Sequence, residues 1–424
     1  MRRKMLAVVA AVWVLLLASC GSPEGPSLVA GPTETDGNAS LAGVSAETPL
    51  VITTDESGAR RSLTVSGDGG SLEDRPVLSL VPLASDQAIT VSEAPTATTV
   101  SRPVTPEASG PTGLPLVIFD TDLGPDVDDA LALAMLHGYQ KRGAIEIAAV
   151  TLSRNSPTGA RYADALNTFY GRPDIPIGID KGNAPYFSDT TNFVALASQW
   201  PHDLNDGDID EAYKLHRRVM ARGLAEGRPV IVIQVGFSGN LSKLVNSGGD
   251  EISPKSGVEL IRDSVSVLSL MGGSIDRNMV EFNIENDVAS ARNLFAKWPG
   301  RIIVSPFELG YGIHYPYSSI RNDLSGRHIL RESYEFRDLD WHQDAPPFYN
   351  MRTWDLTAVM EAVEPSSGYF FVSQPGVVTV DGSGRTFFNV GGGQHYVLDR
   401  SGQYSGDQRD RILRRMIELV SDTP

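Results

Sequence analysis

Five aspartates fall within ten residues, Asp120 to Asp129, in the run DTDLGPDVDDALAL. The run is preceded by the apolar stretch Leu116-Val117-Ile118-Phe119 and leads straight into Ala130-Leu131-Ala132-Leu133. An acidic loop pinned between a buried strand and an apolar helix cannot swing its charges freely into water. Like charges held this closely repel, and helix-dipole attraction accounts for one or two of them, not five. Clustered carboxylates at a strand end form an all-oxygen pocket suited to a hard cation, Ca²⁺ or Mg²⁺. An EF-hand is excluded by position. Counting from Asp120, the sixth residue is Pro125, where glycine is needed, and the twelfth is Leu131, where glutamate is needed.

The rest of the chain bounds the reading. Arg2, Arg3 and Lys4 precede an apolar run, Leu6 to Leu17, which is too short to span a bilayer as a settled helix. Leu17-Ala18-Ser19-Cys20 then resembles the lipobox of bacterial lipoproteins, which implies lipidation at Cys20 and removal of the residues before it. Cys20 is the only cysteine, so internal disulfides and Cys-based metal sites are excluded. Residues 21–113 are rich in Ser, Thr, Pro and Gly and poor in aromatics. Such a segment buries too little apolar surface to offset its ordering entropy and reads as a tether, with Pro49–Ile52 and Val77–Val81 as its only candidate strands. The expected organisation is a signal at 1–20, a tether at 21–113 and one catalytic domain at 114–424, held on the outer or periplasmic face of a bacterial envelope. The net charge of −16 argues against nucleic acid as a partner.

Within 114–424, apolar strand-like runs alternate with helical patterns. Strands are expected at Leu116–Phe119, Ile145–Thr151, Pro229–Val235, Val265–Met271 and Arg301–Val304. Helices are expected at Asp129–Gln140, about Gly159–Tyr170, from about Asn240, at Asp287–Lys297 and at Arg409–Val420. This predicts an α/β domain with a Rossmann-like open, mostly parallel sheet and helices on both faces. Three late runs, Phe370–Val372, Val377–Val380 and Arg385–Phe388, predict an antiparallel piece turning at Asp381–Gly384. In open parallel sheets, ligands bind at the carboxyl ends of strands. Asp120, Asp122, Asn155, Val235-Gly236 and Gly272-Gly273 all fall there.

Asp-Thr-Asp-x-Gly-x-Asp-x-Asp-Asp-Ala resembles the N-terminal motif of the inosine–uridine-preferring nucleoside hydrolases, with two extra residues before Asp-Asp-Ala. Ala149–Asn155, Val235-Gly-Phe-Ser-Gly-Asn240, Met271-Gly-Gly and Glu281-Phe-Asn283 are similar to later motifs of that family, and Asp355 falls at its late His-Asp pair. The resemblance implies Ca²⁺-dependent hydrolysis of the N-glycosidic bond of a nucleoside or related riboside. It implies Ca²⁺ ligation by Asp122, Asp129, Asp355 and the Val235 carbonyl, with Asp128 as general base. Asn155, Asn278, Glu281 and Asn283 would hold the ribose. Trp354 stands where the family places the histidine that assists the leaving base; it offers stacking but no proton. His314 and His342 are the nearby alternatives for that proton. A second class stays open, an envelope lipoprotein that binds nucleosides or sugars with weak catalysis, and so does a homo-oligomer.

Overall fold

The computed structural model describes residues 113–424, apart from 125, 183, 184, 186, 187, 278, 342–349 and 399–404 and the side chains of 337–341. The expectations for Cys20, the tether, Asn278 and His342 lie outside these residues.

In chain order the elements are β1 (Leu116–Thr121), α1 (Asp128–Lys141), β2 (Glu146–Leu152), α2 (Pro157–Phe169), β3 (Ile177–Ile179), β4 (Asp210–Glu211) and α3 (Ala212–Glu226). Then come β5 (Val230–Gln234), α4 (Gly239–Asn246), α5 (Gly257–Ser264), β6 (Val265–Met271), α6 (Phe282–Asn286), α7 (Val288–Lys297) and β7 (Ile302–Ser305). They are followed by α8 (Phe307–Tyr311), β8 (His314–Tyr315), α9 (Tyr317–Asn322), α10 (Ile329–Trp341), β9 (Met351–Arg352) and α11 (Trp354–Val363). The last are β10 (Gly376–Val380), β11 (Thr386–Val390), β12 (His395–Val397) and α12 (Gly406–Val420).

Ten strands form one sheet in the order β11-β10-β12-β7-β6-β5-β1-β2-β3-β4, and β8 pairs with β9 separately. From β12 to β4 every pairing is parallel. β1 is fully buried because both sheet faces are covered, so its residues alternate between two cores. Val117 and Phe119 enter the core that includes α1, α11 and α12, while Leu116 and Ile118 enter the one that includes α3, α4 and α7. The chain runs outward from β1 through β2, β3 and β4, then returns to β1's other side as β5. The β1–β5 boundary is therefore the point where strand order reverses, the place where such sheets form a crevice at their carboxyl edge.

The late antiparallel piece is present but rearranged. β10 and β11 form the expected hairpin, in register Val380↔Thr386. Phe370–Val372 contributes only a single bridge, Val372 to Leu398, and the third strand is β12, which also joins β7 in parallel. Three turn-bounded residues, His395-Tyr-Val397, are too few to show alternation in sequence.

Candidate active site at the switch point

Helix α1 is apolar around its circumference, with every residue from Asp128 to Tyr139 buried. Its first turn therefore cannot reach open water, and Asp128 and Asp129 are buried with it. Helix α11 also starts at this place, and Asp355 lies in its first turn. The backbone N–H of Asp355 donates to Asp128 Oδ2 at 3.3 Å. Two helix N-termini thus converge, and their positive dipole ends favour negative charge between them. One carboxylate oxygen each from Asp128, Asp129 and Asp355 lie within 4.8 Å of one another, close enough to share an ion.

Asp122 follows β1 and is also buried. Its charge helps to raise Asp128 and Asp355. All four carboxyls are held well above their ordinary range, first by burial and then by neighbouring carboxylates: Asp129 acts most on Asp122, Asp126 on Asp128, and Asp128 on Asp129 and Asp355. The Thr121 hydroxyl donates to Asp129, and the buried Arg154 opposes the rise at Asp122 and Asp129. Burial and mutual repulsion both disfavour their charged forms, and a cation would relieve both. An all-oxygen donor set with this much uncompensated charge fits a hard divalent ion.

Backbone packing fixes the opposite wall. Val235 and Gly236 follow β5, and the Val235 N–H donates to the Asp120 carbonyl at 2.7 Å. A Cβ on Gly236 would stand 2.4 Å from both the Asp122 nitrogen and Ser153 Oγ, so only glycine lets the ends of β1, β2 and β5 meet. Asn283 Nδ2 donates to the Val235 carbonyl at 2.8 Å, which leaves that oxygen one lone pair.

Glu281 caps α6, taking the backbone N–H groups of Asn283 at 2.8 Å, Ile284 at 3.2 Å and Gly273 at 2.9 Å. Three of its four acceptor positions are thus committed to the backbone. Asn155 is exposed just beyond β2. Trp354 is half-buried, and its indole N–H donates to the Phe307 carbonyl at 3.1 Å. His314 is exposed, with Nε2 3.0 Å from the Tyr311 carbonyl. The convergent trio includes Asp128, which the sequence assigned to proton transfer.

Several residues escaped the sequence reading. Arg154 is buried at the end of β2, pairs with Asp189 at 2.9 Å and donates to the Leu123 carbonyl at 2.8 Å, so it clamps the acidic loop. Asp120, named in the sequence but given no role there, is engaged by neighbouring side chains. It accepts from Thr151 Oγ1 at 2.8 Å and Asn240 Nδ2 at 2.7 Å, and burial pushes its carboxyl up to about 7. Thr151 Oγ1 also lies 2.8 Å from Nε2 of the buried His216. A lone arginine or histidine gives no sequence signal of burial; only its tertiary partners do.

Comparisons with known proteins agree with this fold. The structure is similar to a plant nucleoside hydrolase (TM-score 0.56, 20% identity, covering 73% of this chain and 99% of that one). It is similar to a purine-preferring ribonucleoside hydrolase from Gardnerella vaginalis (TM-score 0.57, 18% identity, 72% and 98%). It is also similar to an inosine-uridine preferring nucleoside hydrolase from Bacillus anthracis (TM-score 0.55, 14% identity, 73% and 100%). No curated protein matches by sequence. The model of the family described as inosine-uridine preferring nucleoside hydrolase matches residues 117–411, and the chain, an N-glycosidase by that membership, belongs to this family.

Proposed function

We propose that the protein hydrolyses N-ribosides in a Ca²⁺-dependent manner, with Asp122, Asp129, Asp355 and the Val235 carbonyl holding the ion. The observation that carries this reading is the meeting of Asp128, Asp129 and Asp355 at the N-termini of α1 and α11, buried and short of compensating positive charge. When bound, the ion supplies positive charge and oxygen coordination for the ribose diol. Breaking the C1′–N bond builds positive charge on the sugar, an oxocarbenium-like state. Asp128 takes a proton from the attacking water, and its negative charge and those beside it stabilise the developing cation. Asn283 and Glu281 border the Val235 side of the pocket and hold the ribose, Asn283 through its amide oxygen and Glu281 through its one remaining acceptor position. Asn155 reaches the ribose from the β2 side, and Asn278 is a further candidate ribose contact. Trp354 offers an aromatic face for the base.

The test is release of reducing sugar from a panel of ribonucleosides, with and without a chelator. Turnover that Ca²⁺ restores after chelation is expected; chelator-insensitive turnover would refute the metal assignment, and no turnover of any riboside would refute the substrate class. We propose further that Cys20 anchors the protein to the bacterial envelope through lipid. Cys20→Ser should move it from the membrane to the soluble fraction, and unchanged fractionation would exclude the anchor.

A further inference from the structure

A second cluster, opposite in charge, stands at the same carboxyl edge beside β6 and β7. The Oε1 atom of buried Glu308, in α8, accepts from the backbone N–H groups of Asp276 at 3.0 Å and Arg277 at 3.1 Å. The Ser274 hydroxyl donates to the same atom. This carboxylate fixes the turn that presents Arg277, whose guanidinium lies 4.3 Å from the centre of the Tyr311 ring. Arg352, from β9, lies 4.7 Å from the same ring. Phe307 stacks on Tyr311 at 5.3 Å, and Trp354 lies 5.4 Å from Phe307 and 5.7 Å from the Arg352 guanidinium. Trp354 immediately precedes Asp355, so the cluster adjoins the acidic pocket on the side where the base would leave.

Two guanidinium groups on one phenol ring repel each other. Among the described residues no carboxylate forms an ion pair with either. Hydrogen bonding from Arg352 first, then the positive charge of Arg352 and the hydrogen bonding and charge of Arg277, hold the Tyr311 phenol below its ordinary range. Such an arrangement is most favourable when an anion completes it. Trp354 cannot assist a leaving base by hydrogen bonding, because its N–H is committed to the Phe307 carbonyl. Arginine does not release its proton either, but its fork of donors holds a planar anion well.

Building on the hydrolase reading, we infer that Arg277 and Arg352 form an anion-recognition subsite for the leaving group. The preferred substrates are then N-ribosides whose planar base departs as an anion, above all bases bearing a carboxylate. In the step itself the C1′–N bond breaks and its electron pair leaves with the base. Water adds to C1′ and its proton passes to Asp128. The departing base carries its negative charge to the arginines and takes a proton from solvent on release.

The experiment compares 5-carboxyuridine with its amide counterpart, 5-carbamoyluridine, on the full-length protein with Ca²⁺. Hydrogen bonds to charged groups predict a kcat/KM ratio of about tenfold or more in favour of the carboxylate. That ratio should fall toward one in Arg277→Gln, a change at an exposed side chain, and in Arg352→Gln. A ratio near one in the wild type, or one unchanged in both variants, would overturn the subsite. If neither riboside is cleaved, it is the hydrolase reading that fails. Calorimetry with the free bases, 5-carboxyuracil against 5-carbamoyluracil, then decides the subsite alone. Tighter binding of the carboxylate that is lost in Arg277→Gln supports it, and equal binding of the two bases overturns it.

Discussion

A buried glutamate, Glu281, and a cluster of buried aspartates both lie at the carboxyl edge of this sheet, and the donors around them differ. Glu281 is met by three backbone N–H groups. Asp128 is met by the Asp355 N–H at 3.3 Å and by its own backbone N–H, Asp129 takes a hydroxyl from Thr121, and every influence on Asp355 raises its pKa. Burial raises both groups, but hydrogen bonds oppose the rise three times over at Glu281. A carboxylate met by three donors is largely committed to the backbone, with one acceptor position left for a ligand, whereas one left short of donors is a place reserved for a cation. The second group costs stability until a partner arrives, which is why removing one member should have very different consequences in the two groups.

The largest expected effect is at Asp129. Asp129→Ala should abolish Ca²⁺ binding, and with it turnover; a calorimetric titration with unaltered affinity would break the distinction at its root. Next is Asp128, which the geometry places in the trio and the chemistry assigns to proton transfer. Asp128→Asn should lower kcat by about 10²–10⁴-fold while Ca²⁺ still binds. If the variant loses the ion instead, Asp128 is a ligand first and the base must be sought elsewhere. At Glu281 the prediction reverses. Glu281→Gln turns an amide NH₂ toward N–H donors, which should destabilise the fold by about 3 kcal/mol in denaturant titrations but leave Ca²⁺ affinity within a few-fold.

The smallest effect concerns Glu361, a buried glutamate in α11 whose carboxyl burial pushes up to about 7, with Arg301 partly opposing. The folded state holds this proton more tightly than the unfolded chain does. Its contribution is therefore fully present below the unfolded pKa, near pH 4.5, and is lost as pH rises through about 7. Glu361→Gln should stabilise the protein by on the order of 1–2 kcal/mol at pH 8 and by little at pH 4.5. Thermal melts at the two pH values check this, and a pH-independent difference would show that the carboxyl titrates normally.

Much of the architecture was legible because parallel strands buried on both faces appear as unbroken apolar runs. β1, β2, β5, β6 and β7 were each expected within a residue or two of where they lie. The three-residue β3, Ile177-Gly-Ile179, was too short to register, and α3 carries too many charges for its apolar stripe to stand out. The acidic loop announced itself because five like charges beside a buried strand have few explanations. The arginine cluster did not, because Arg277, Tyr311 and Arg352 are scattered in sequence and meet only where α8, through Glu308 and Tyr311, gathers the turn after β6 and the end of β9. Glu281 was read as a ribose contact from its motif; its capping role needed the backbone of Gly273, which sequence does not place beside it.

The bond between Asp355 and Asp128 joins residues 227 positions apart. During synthesis, Asp128 and Asp129 emerge early and must wait, mutually repelling, until most of the domain has followed. Closing so long a loop is slow, and the ion has nothing to grip before it closes. On the proposed ligation, a chain truncated before α11 lacks Asp355 and should not retain the ion, so ion binding would report that the whole domain has folded.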